Sequence, residues 1–141
     1  MGVPFSFYNF TALVDLQRGI VERQDDSRRE AFCILYCNFD GFDKAKVDES
    51  LKQVVRSSDS YVHHDNAYFF ILYQTDKYGA SVVATMFEEF FGKYIHNDIV
   101  SYPRDGESAQ DLFNALQTSV KKKLNVYLEC LDKSSREKPI S

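Results

Sequence analysis

Concentrated positive charge is largely missing from this sequence. Its 17 lysine and arginine residues stand against 21 aspartate and glutamate residues, which gives a formal net charge of -4. The basic residues cluster only at Lys121, Lys122 and Lys123. Because a nucleic-acid surface needs a concentrated basic face to neutralise phosphates, we expect no nucleic-acid partner.

Long apolar runs and paired cysteines are missing as well. No apolar run approaches the length that spans a bilayer, and the N-terminus lacks a charged region followed by a long apolar one. The sequence therefore predicts neither secretion nor membrane insertion by this segment. Cys33, Cys37 and Cys130 form an odd set within apolar stretches, without a CxxC pair, which is typical of reduced, buried thiols. We expect a cytoplasmic protein, or the cytoplasmic part of a larger one.

Apolar and aromatic residues, in contrast, are plentiful. Hydrophobic residues make up 44% and aromatic residues 15% of the 141 positions, which is enough to bury the core of one domain. We assign residues 1–131 to this domain. Residues 132–141, DKSSREKPIS, have almost no apolar content and are expected to form a disordered tail or linker.

The spacing of the apolar residues predicts alternating helices and strands with one hairpin. Asp65 and Asn66 suit the two-residue hairpin turn because both tolerate positive φ. This order predicts an α/β sandwich with a mixed sheet. The predicted strands are a buried strand from Ala31 to Phe39, the hairpin strands Ser60–His64 and Ala67–Gln74, a strand from His96 to Tyr102, and a fifth strand from Leu124 to Leu131. The first predicted helix runs from Asn9 to about Asp25, with Asn9 or Thr11 as its cap, and the second ends near Arg56. The third helix is capped by Thr75 or Asp76 and ends near Gly92, and the last is capped by Ser108.

Several strings in this order resemble the GGDEF domain of diguanylate cyclases, from about residue 9 to residue 125. NFTALVDLQR resembles its D-x-LTGL-x-NR start, and CILYCNFDGFD resembles its strand followed by D-x-D-x-F-K. VDESLKQVV, VVRSSD and SYPRDGESAQDLF resemble its GD-x-x-L-x-x-VA, LR-x-x-D and YP-x-DG segments. The resemblance implies a palm-like sandwich of the nucleotidyl cyclase type, with a central five-stranded mixed sheet and helices on both faces.

One spacing sets the register of this resemblance at the hairpin. In the family, the inhibitory-site motif RxxD precedes GGDEF by five residues. Here Arg56 and Asp59 are followed by SYVHH, so that DNAYF, from Asp65 to Phe69, stands where GGDEF would be. A register moved by one residue places HDNAY there instead.

The resemblance implies a degenerate active site without catalysis. Asn38 and Ala67 stand where the family holds its metal ions with carboxylates, and hard cations need such oxygen ligands. Asp65 and Asn66 replace the two glycines that let the backbone approach a triphosphate, and Tyr68 replaces the second acidic residue. Phe39 lies inside the altered D-x-D segment. We therefore expect no enzyme activity, no metal and no cofactor.

The guanine pocket of the family is reduced as well. Too little chain separates Phe42 from Arg56 for its N-D-x-x-G-H segment and a full helix, which leaves Asp48 as the match to the base-contacting aspartate. Asp40 matches the second aspartate of D-x-D, and its other interpretation is a cap at the end of a strand.

Arg56 and Asp59 carry the positive expectation, because the family binds cyclic di-GMP with this pair. An arginine fork suits a guanine edge or a phosphate. In the alternative interpretation Arg56 interacts with a helix end and Asp59 caps a turn. The further arginine that the family often supplies falls near Met86 or Phe87 here, so the full ligand site is not present.

Two functional hypotheses follow. The first is a regulatory domain in cyclic di-GMP signalling that binds this nucleotide through Arg56 and Asp59. The alternative is a nucleotide-independent module for protein interaction or homodimerisation, which regulates an attached domain or a separate partner.

His63, His64, Asp65 and His96 are not expected to bind metal, because neighbouring strand residues point to opposite faces. Lys122 or Lys123 can match a phosphate-contacting lysine or form a solvated helix end, and the phenylalanines near the hairpin and in the following helix are expected in the core.

Overall fold

The computed structural model describes residues 2–24 and 30–132. Within these ranges the chain forms an α/β fold with four α-helices and a five-stranded mixed sheet. The strands are β1 (Val3–Pro4), β2 (Glu30–Asn38), β3 (Ser60–His64), β4 (Ala67–Tyr73) and β5 (Asn97–Pro103). The helices are α1 (Phe10–Arg23), α2 (Lys44–Val54), α3 (Lys77–Phe91) and α4 (Ala109–Leu124), and short 3-10 helices cover Phe7–Asn9 and Glu129–Leu131.

The sheet has the strand order β1-β3-β4-β2-β5. Its four longer strands pair antiparallel, and β1 pairs parallel with β3 at the edge. The segment β2-α2-β3-β4-α3-β5 places β4 between β2 and β3, which is the split β-α-β arrangement of ferredoxin-like folds. Strand β2 is therefore an interior strand between β4 and β5, whereas β4 holds the central place that was expected for β2. Residues 31–37 of β2 are buried, as its continuous apolar run predicted.

Two helices cover each face of the sheet, as expected. Phe32, Ile34 and Tyr36 of β2 point into a core closed by α1 and α4. The alternate residues Cys33 and Leu35 point into a second core closed by α2 and α3. This alternation follows from the two-residue period of a strand, and a strand buried on both faces has no polar side.

Local signals placed most helix ends correctly. Asp76 and Ser108 occupy the N-cap positions of α3 and α4, where their side chains accept hydrogen bonds from the backbone amides of Gly79 and Asp111. Gly92 ends α3 in the left-handed conformation, with φ 67°. Asn9 holds the N-cap position of α1, but its side chain makes no capping hydrogen bond.

The predicted fifth strand is wrong. Helix α4 continues to Leu124, Asn125 ends it with φ 56°, and residues 125–132 form an irregular segment with a 3-10 turn. Leu128 and Leu131 are buried against the α1/α4 core, and the Gln117 side chain hydrogen-bonds both backbone groups of Leu128 at 2.8 and 2.7 Å. The apolar residues of this segment are thus buried without pairing in the sheet. The Gln117 side-chain amide makes the hydrogen bonds to Leu128 that a neighbouring strand would otherwise make.

The fifth strand of the sheet is instead β1, near the N-terminus. Val3 and Phe5 donate backbone hydrogen bonds of 3.0 Å to the carbonyls of Asp59 and Tyr61. A strand of two residues has no periodicity, so no sequence pattern predicted it. Pro4 fits its position, because an edge strand tolerates a residue without an amide hydrogen.

The remaining expectations on the chain ends fall partly outside the described residues. This holds for the end of the first predicted helix at Asp25 and for residues 133–141 of the expected tail. Across residues 2–24 and 30–132, no helix is long and apolar enough to cross a membrane.

Candidate functional site

Arg56 and Asp59 form a closely hydrogen-bonded pair in the turn between α2 and β3. The Asp59 carboxylate accepts hydrogen bonds from the Arg56 backbone amide at 3.1 Å, from Nε at 3.1 Å and from Nη2 at 2.9 Å. Asp59 is 2% exposed, whereas the Arg56 side chain is 55% exposed. The turn-capping role expected for Asp59 is therefore present, although α2 ends at Val54, before Arg56.

The guanidinium group also bridges to the end of β4. Nη2 donates to the Tyr73 carbonyl at 2.9 Å and to Thr75 Oγ1 at 3.0 Å. Its Nη1 group donates no hydrogen bond within the described part of the chain. The side-chain hydrogen bond to Asp59 raises the pKa of Arg56, against the effect of partial burial. Arg56 is thus held rigidly on one edge and open on the other.

Arg56 lines a cleft of about 450 Å3 between the turn, the end of β4 and α3. Its walls include the apolar side chains of Val54, Val83 and Met86. The polar walls include three carboxylates, of Glu30, Asp59 and Asp76, against the single guanidinium of Arg56.

The carboxylates of Glu30 and Asp76, like that of Asp59, are oriented by hydrogen bonds from the protein. Glu30 accepts hydrogen bonds from the Lys77 backbone amide at 2.9 Å and from Arg104 at 3.2 Å. Asp76 Oδ1 accepts the Gly79 amide at 2.7 Å. No sequence motif indicated Glu30 as a cleft residue, because it lies on β2, far from the RxxD motif along the chain.

The position aligned with the further arginine of the family lies in this cleft. Met86 lines the cleft wall and is 41% exposed, whereas Phe87 is fully buried in the α2/α3 core. The side chain that faces the cleft at this point on α3 is therefore apolar.

The two positions expected to have lost the metal ligands are neighbours. Asn38 ends β2 and lies directly opposite Ala67, the first residue of β4. Asn38 Oδ1 accepts a hydrogen bond from the Asp40 backbone amide at 2.9 Å. In the part of the chain that the structure describes, no three histidine, cysteine, aspartate or glutamate side chains converge into a group that could hold a metal ion.

The other positions expected to be degenerate divide between the core and the hairpin turn. Phe39 and Tyr68 are 1% and 5% exposed, and their rings pack against each other at 5.1 Å. Asp65 adopts φ 51° in the turn and is solvent-exposed. Asn66 accepts the Phe39 backbone amide at 2.9 Å and donates its side-chain amide to Asp40 Oδ1 at 3.3 Å. The hairpin tip is thus linked to the end of β2, and Asp40 serves as the acceptor of that link.

The neighbouring histidines point to opposite faces of the sheet, as expected. His63 stacks on Tyr68 at 4.7 Å on the α2/α3 face, and His64 contacts the Phe7 ring at 5.2 Å on the other face. His96 contacts Tyr94 at 5.1 Å near the start of β5. The three histidines therefore do not meet.

Lys123 pairs with a buried aspartate that sequence reasoning missed. Its Nζ lies 3.2 Å from Asp98 Oδ1, and the Asp98 side chain is 4% exposed. Lys122 is exposed at the end of α4.

Asp48 lies on the exposed side of α2. Burial raises the pKa of Tyr68, and the charge of Asp48 raises it further.

The phenylalanine set is only partly in the core. Phe69, Phe70 and Phe87 are fully buried, whereas Phe90 and Phe91 are partly exposed at the end of α3.

No protein-family model matches this sequence, and no curated protein matches it significantly.

Proposed function

We propose that this chain is a non-catalytic regulatory domain of the GGDEF type, which binds cyclic di-GMP in the Arg56 cleft. The ordered series of GGDEF-like strings, the split β-α-β arrangement and the hairpin at DNAYF support a palm-like fold. The replacement of carboxylates by Asn38 and Ala67 supports the absence of catalysis.

The observation that supports the ligand proposal is the fixed conformation of the Arg56 side chain. Its inner edge is fixed by Asp59, Tyr73 and Thr75, so that little side-chain entropy remains to be lost on binding. Its outer Nη1 edge is available beside a cleft of about 450 Å3, within the usual range of small-molecule sites. Arginine suits both a guanine edge and a phosphate.

The cleft carboxylates define how the ligand would lie. A guanine base presents N–H donors on its Watson–Crick edge, and Asp76 has an oxygen that accepts no hydrogen bond from the described residues. The phosphates would lie away from Glu30 and Asp76, because like charges repel. The apolar side chains in the wall suit the face of a base.

Titration calorimetry of the chain with cyclic di-GMP tests this proposal. We expect saturable heat at ligand concentrations near 100 μM or below, which corresponds to about 5 kcal/mol of binding free energy. Absence of heat at that concentration contradicts the proposal.

Substitutions at Met86 provide a matched pair of variants. Arg56→Ala alone is ambiguous, since it leaves the buried Asp59 without its partner and so endangers folding. Met86 is exposed on the cleft wall, so Met86→Arg should tighten and Met86→Glu should weaken cyclic di-GMP binding, each on the order of tenfold. Equal affinities in both variants would place the ligand elsewhere.

A second candidate function is favoured by the exposed face of α3. Tyr78, Val82 and Met86 recur at four-residue spacing and are 78%, 42% and 41% exposed, which forms an apolar stripe beside the Arg56 cleft. Such a stripe suits a protein interface, here most simply with a second copy of the chain. Light scattering would then show a dimer that Val82→Glu dissociates and that cyclic di-GMP leaves unchanged.

A further inference from the structure

Helix α1 presents one of its faces to solvent, away from the sheet. Phe10, Val14 and Val21 point into the core that α1 shares with α4, and they define the inner face of the helix. On the outer face, Leu16 is 61% exposed and Ile20 is 37% exposed. These two side chains line a shallow groove of about 600 Å3, and all the described residues around this groove belong to α1.

The groove on α1 is separate from the surfaces discussed under the proposed function. Helix α1 covers one face of the sheet, whereas α3 with its exposed apolar stripe covers the other face. The groove and the Arg56 cleft have no lining residue in common. Binding at this groove therefore involves none of the residues that we assign to cyclic di-GMP.

A glycine lies in the middle of the groove, although the fold of one chain does not need it there. A Cβ atom added at Gly19 meets nothing within 4 Å. Gly19 is also inside a helix, where glycine is unfavourable relative to alanine. A glycine on an outer helix face allows the backbone of a second helix to approach closely.

Side chains four residues apart form two neighbouring ridges on the outer face. One ridge is apolar and consists of Ala12, Leu16 and Ile20, and the other consists of Asp15, Gly19 and Arg23. Ridges of this spacing pack into the grooves of a second helix when the two axes cross at about 50°, which is the commonest class of helix pair. The outer face of α1 thus offers an apolar ridge beside a ridge that is lowest at its centre, as a crossing helix requires.

The charges of this face indicate which partner fits it. Asp15 and Arg23 lie four residues before and after Gly19, about 12 Å apart along the helix axis. When two copies of α1 cross antiparallel about a two-fold axis at Gly19, Asp15 of each copy lies beside Arg23 of the other. The other two charges, Arg18 and Glu22, already pair within one helix at 3.5 Å. The face is therefore neutral and complementary to itself, whereas the whole chain carries a net charge of -4.

The one competing contact of Asp15 is weak. Its carboxylate lies 3.3 Å from Arg18, and the Asp15 side chain is 49% exposed. Exposed ion pairs of this kind contribute little to stability, so Asp15 is free to pair with a second copy.

The size of the face sets the strength of the association. Helix α1 has 14 residues and is about 21 Å long. A single helix pair of this length buries less than the roughly 1,200 Å2 at which stable interfaces begin. We therefore expect reversible association with a Kd of about 10–100 μM.

We propose that the outer face of α1 is a dimerisation surface, and that a second copy of this chain occupies its groove. The two α1 helices cross antiparallel at Gly19, their apolar ridges pack on each other, and two ion pairs between Asp15 and Arg23 fix the direction of crossing. This dimer is compatible with ligand binding in the Arg56 cleft, and it uses a different surface from the α3 stripe.

Charge reversal at Asp15 and Arg23 tests the arrangement by sedimentation equilibrium, on the full chain from about 5 to about 500 μM. We expect a monomer–dimer equilibrium for the parent. Asp15→Arg and Arg23→Asp each place like charges opposite one another and should weaken dimerisation at least on the order of tenfold. An equimolar mixture of the two variants restores both ion pairs and should form heterodimers with about the affinity of the parent. A parent that stays monomeric, or a mixture that does not recover, overturns the proposal.

Substitutions at the apolar positions separate α1 from the α3 stripe. Leu16→Glu should dissociate the dimer, whereas Val82→Glu, also exposed but on α3, should leave it unchanged. Gly19→Gln adds a side chain where one chain alone has free space, so it should weaken the dimer while the circular dichroism and the Tm of the monomer are retained. Dissociation by Val82→Glu without an effect of Leu16→Glu, or an unchanged dimer in Gly19→Gln, contradicts the proposal.

Discussion

Single residues in this chain take their role from what surrounds them and not from their type. Asp59 and Asp98 are both buried aspartates, but Asp59 is fully paired with Arg56 whereas Asp98 Oδ2 has no partner within the described residues. Asp105 is a third case. Burial alone would raise its pKa, but hydrogen bonds from Lys77 at 2.9 Å and from the Ser101 amide at 2.8 Å outweigh burial, and the pKa of Asp105 is lowered.

A lowered pKa makes the contribution of Asp105 to stability depend on pH. Its carboxylate stabilises the fold above the unfolded-state pKa of about 3.9, and this contribution is lost as pH falls through the lower folded-state pKa. We expect Asp105→Asn to lower the Tm at pH 7 by on the order of 2–4 °C. The difference from the parent should shrink as pH falls below about 4, measured by thermal unfolding monitored by circular dichroism. A pH-independent difference between Asp105→Asn and the parent contradicts the assignment.

Elements of this fold begin and end where local chemistry and burial agree. The caps Asp76 and Ser108, the left-handed Gly92 and the turn at Asp65 all lie where the sequence signals placed them. The C-terminal end of α4 at Leu124 was not predicted. The residue that ends this helix is Asn125, and asparagine is a weaker sign of a helix end than glycine.

The cap of α4 allows a direct measurement. Ser108 Oγ accepts the Asp111 amide at 3.0 Å, so Ser108→Ala leaves that amide without its side-chain acceptor. We expect a loss of about 1 kcal/mol in the free energy of unfolding, measured by urea denaturation. Ser119→Ala inside the same helix should cause no loss, because alanine favours helix interiors. Equal effects of both substitutions would show that the cap does not stabilise α4.

At the scale of the whole molecule, one sheet joins two cores, and residues 125–132 close one of them. Leu128 is buried in the α1/α4 core, and the Gln117 side chain hydrogen-bonds its backbone amide and carbonyl in place of a neighbouring strand.

The closing segment should contribute strongly to stability. We expect Leu128→Ala to cost about 2–4 kcal/mol, because it leaves a cavity in the α1/α4 core. Val126→Ala in the same segment, where the side chain is 40% exposed, should change the free energy of unfolding by only about 0.5 kcal/mol. Urea denaturation of both variants measures the difference. If Leu128→Ala behaved like Val126→Ala, the segment would not be part of the core.

The sequence by itself determined the elements that rest on local signals: α1 to α4, strands β2 to β5, the hairpin turn and the two-faced burial of β2. Arg56 and Asp59 were singled out as a pair by their resemblance to the RxxD motif. Only the tertiary structure decided that β1 occupies the sheet edge, that residues 125–132 pack without a strand, and that Glu30 and Met86 line the cleft of Arg56. These features join residues distant along the chain, and their partners are selected by burial and by backbone hydrogen bonds, which no local pattern encodes.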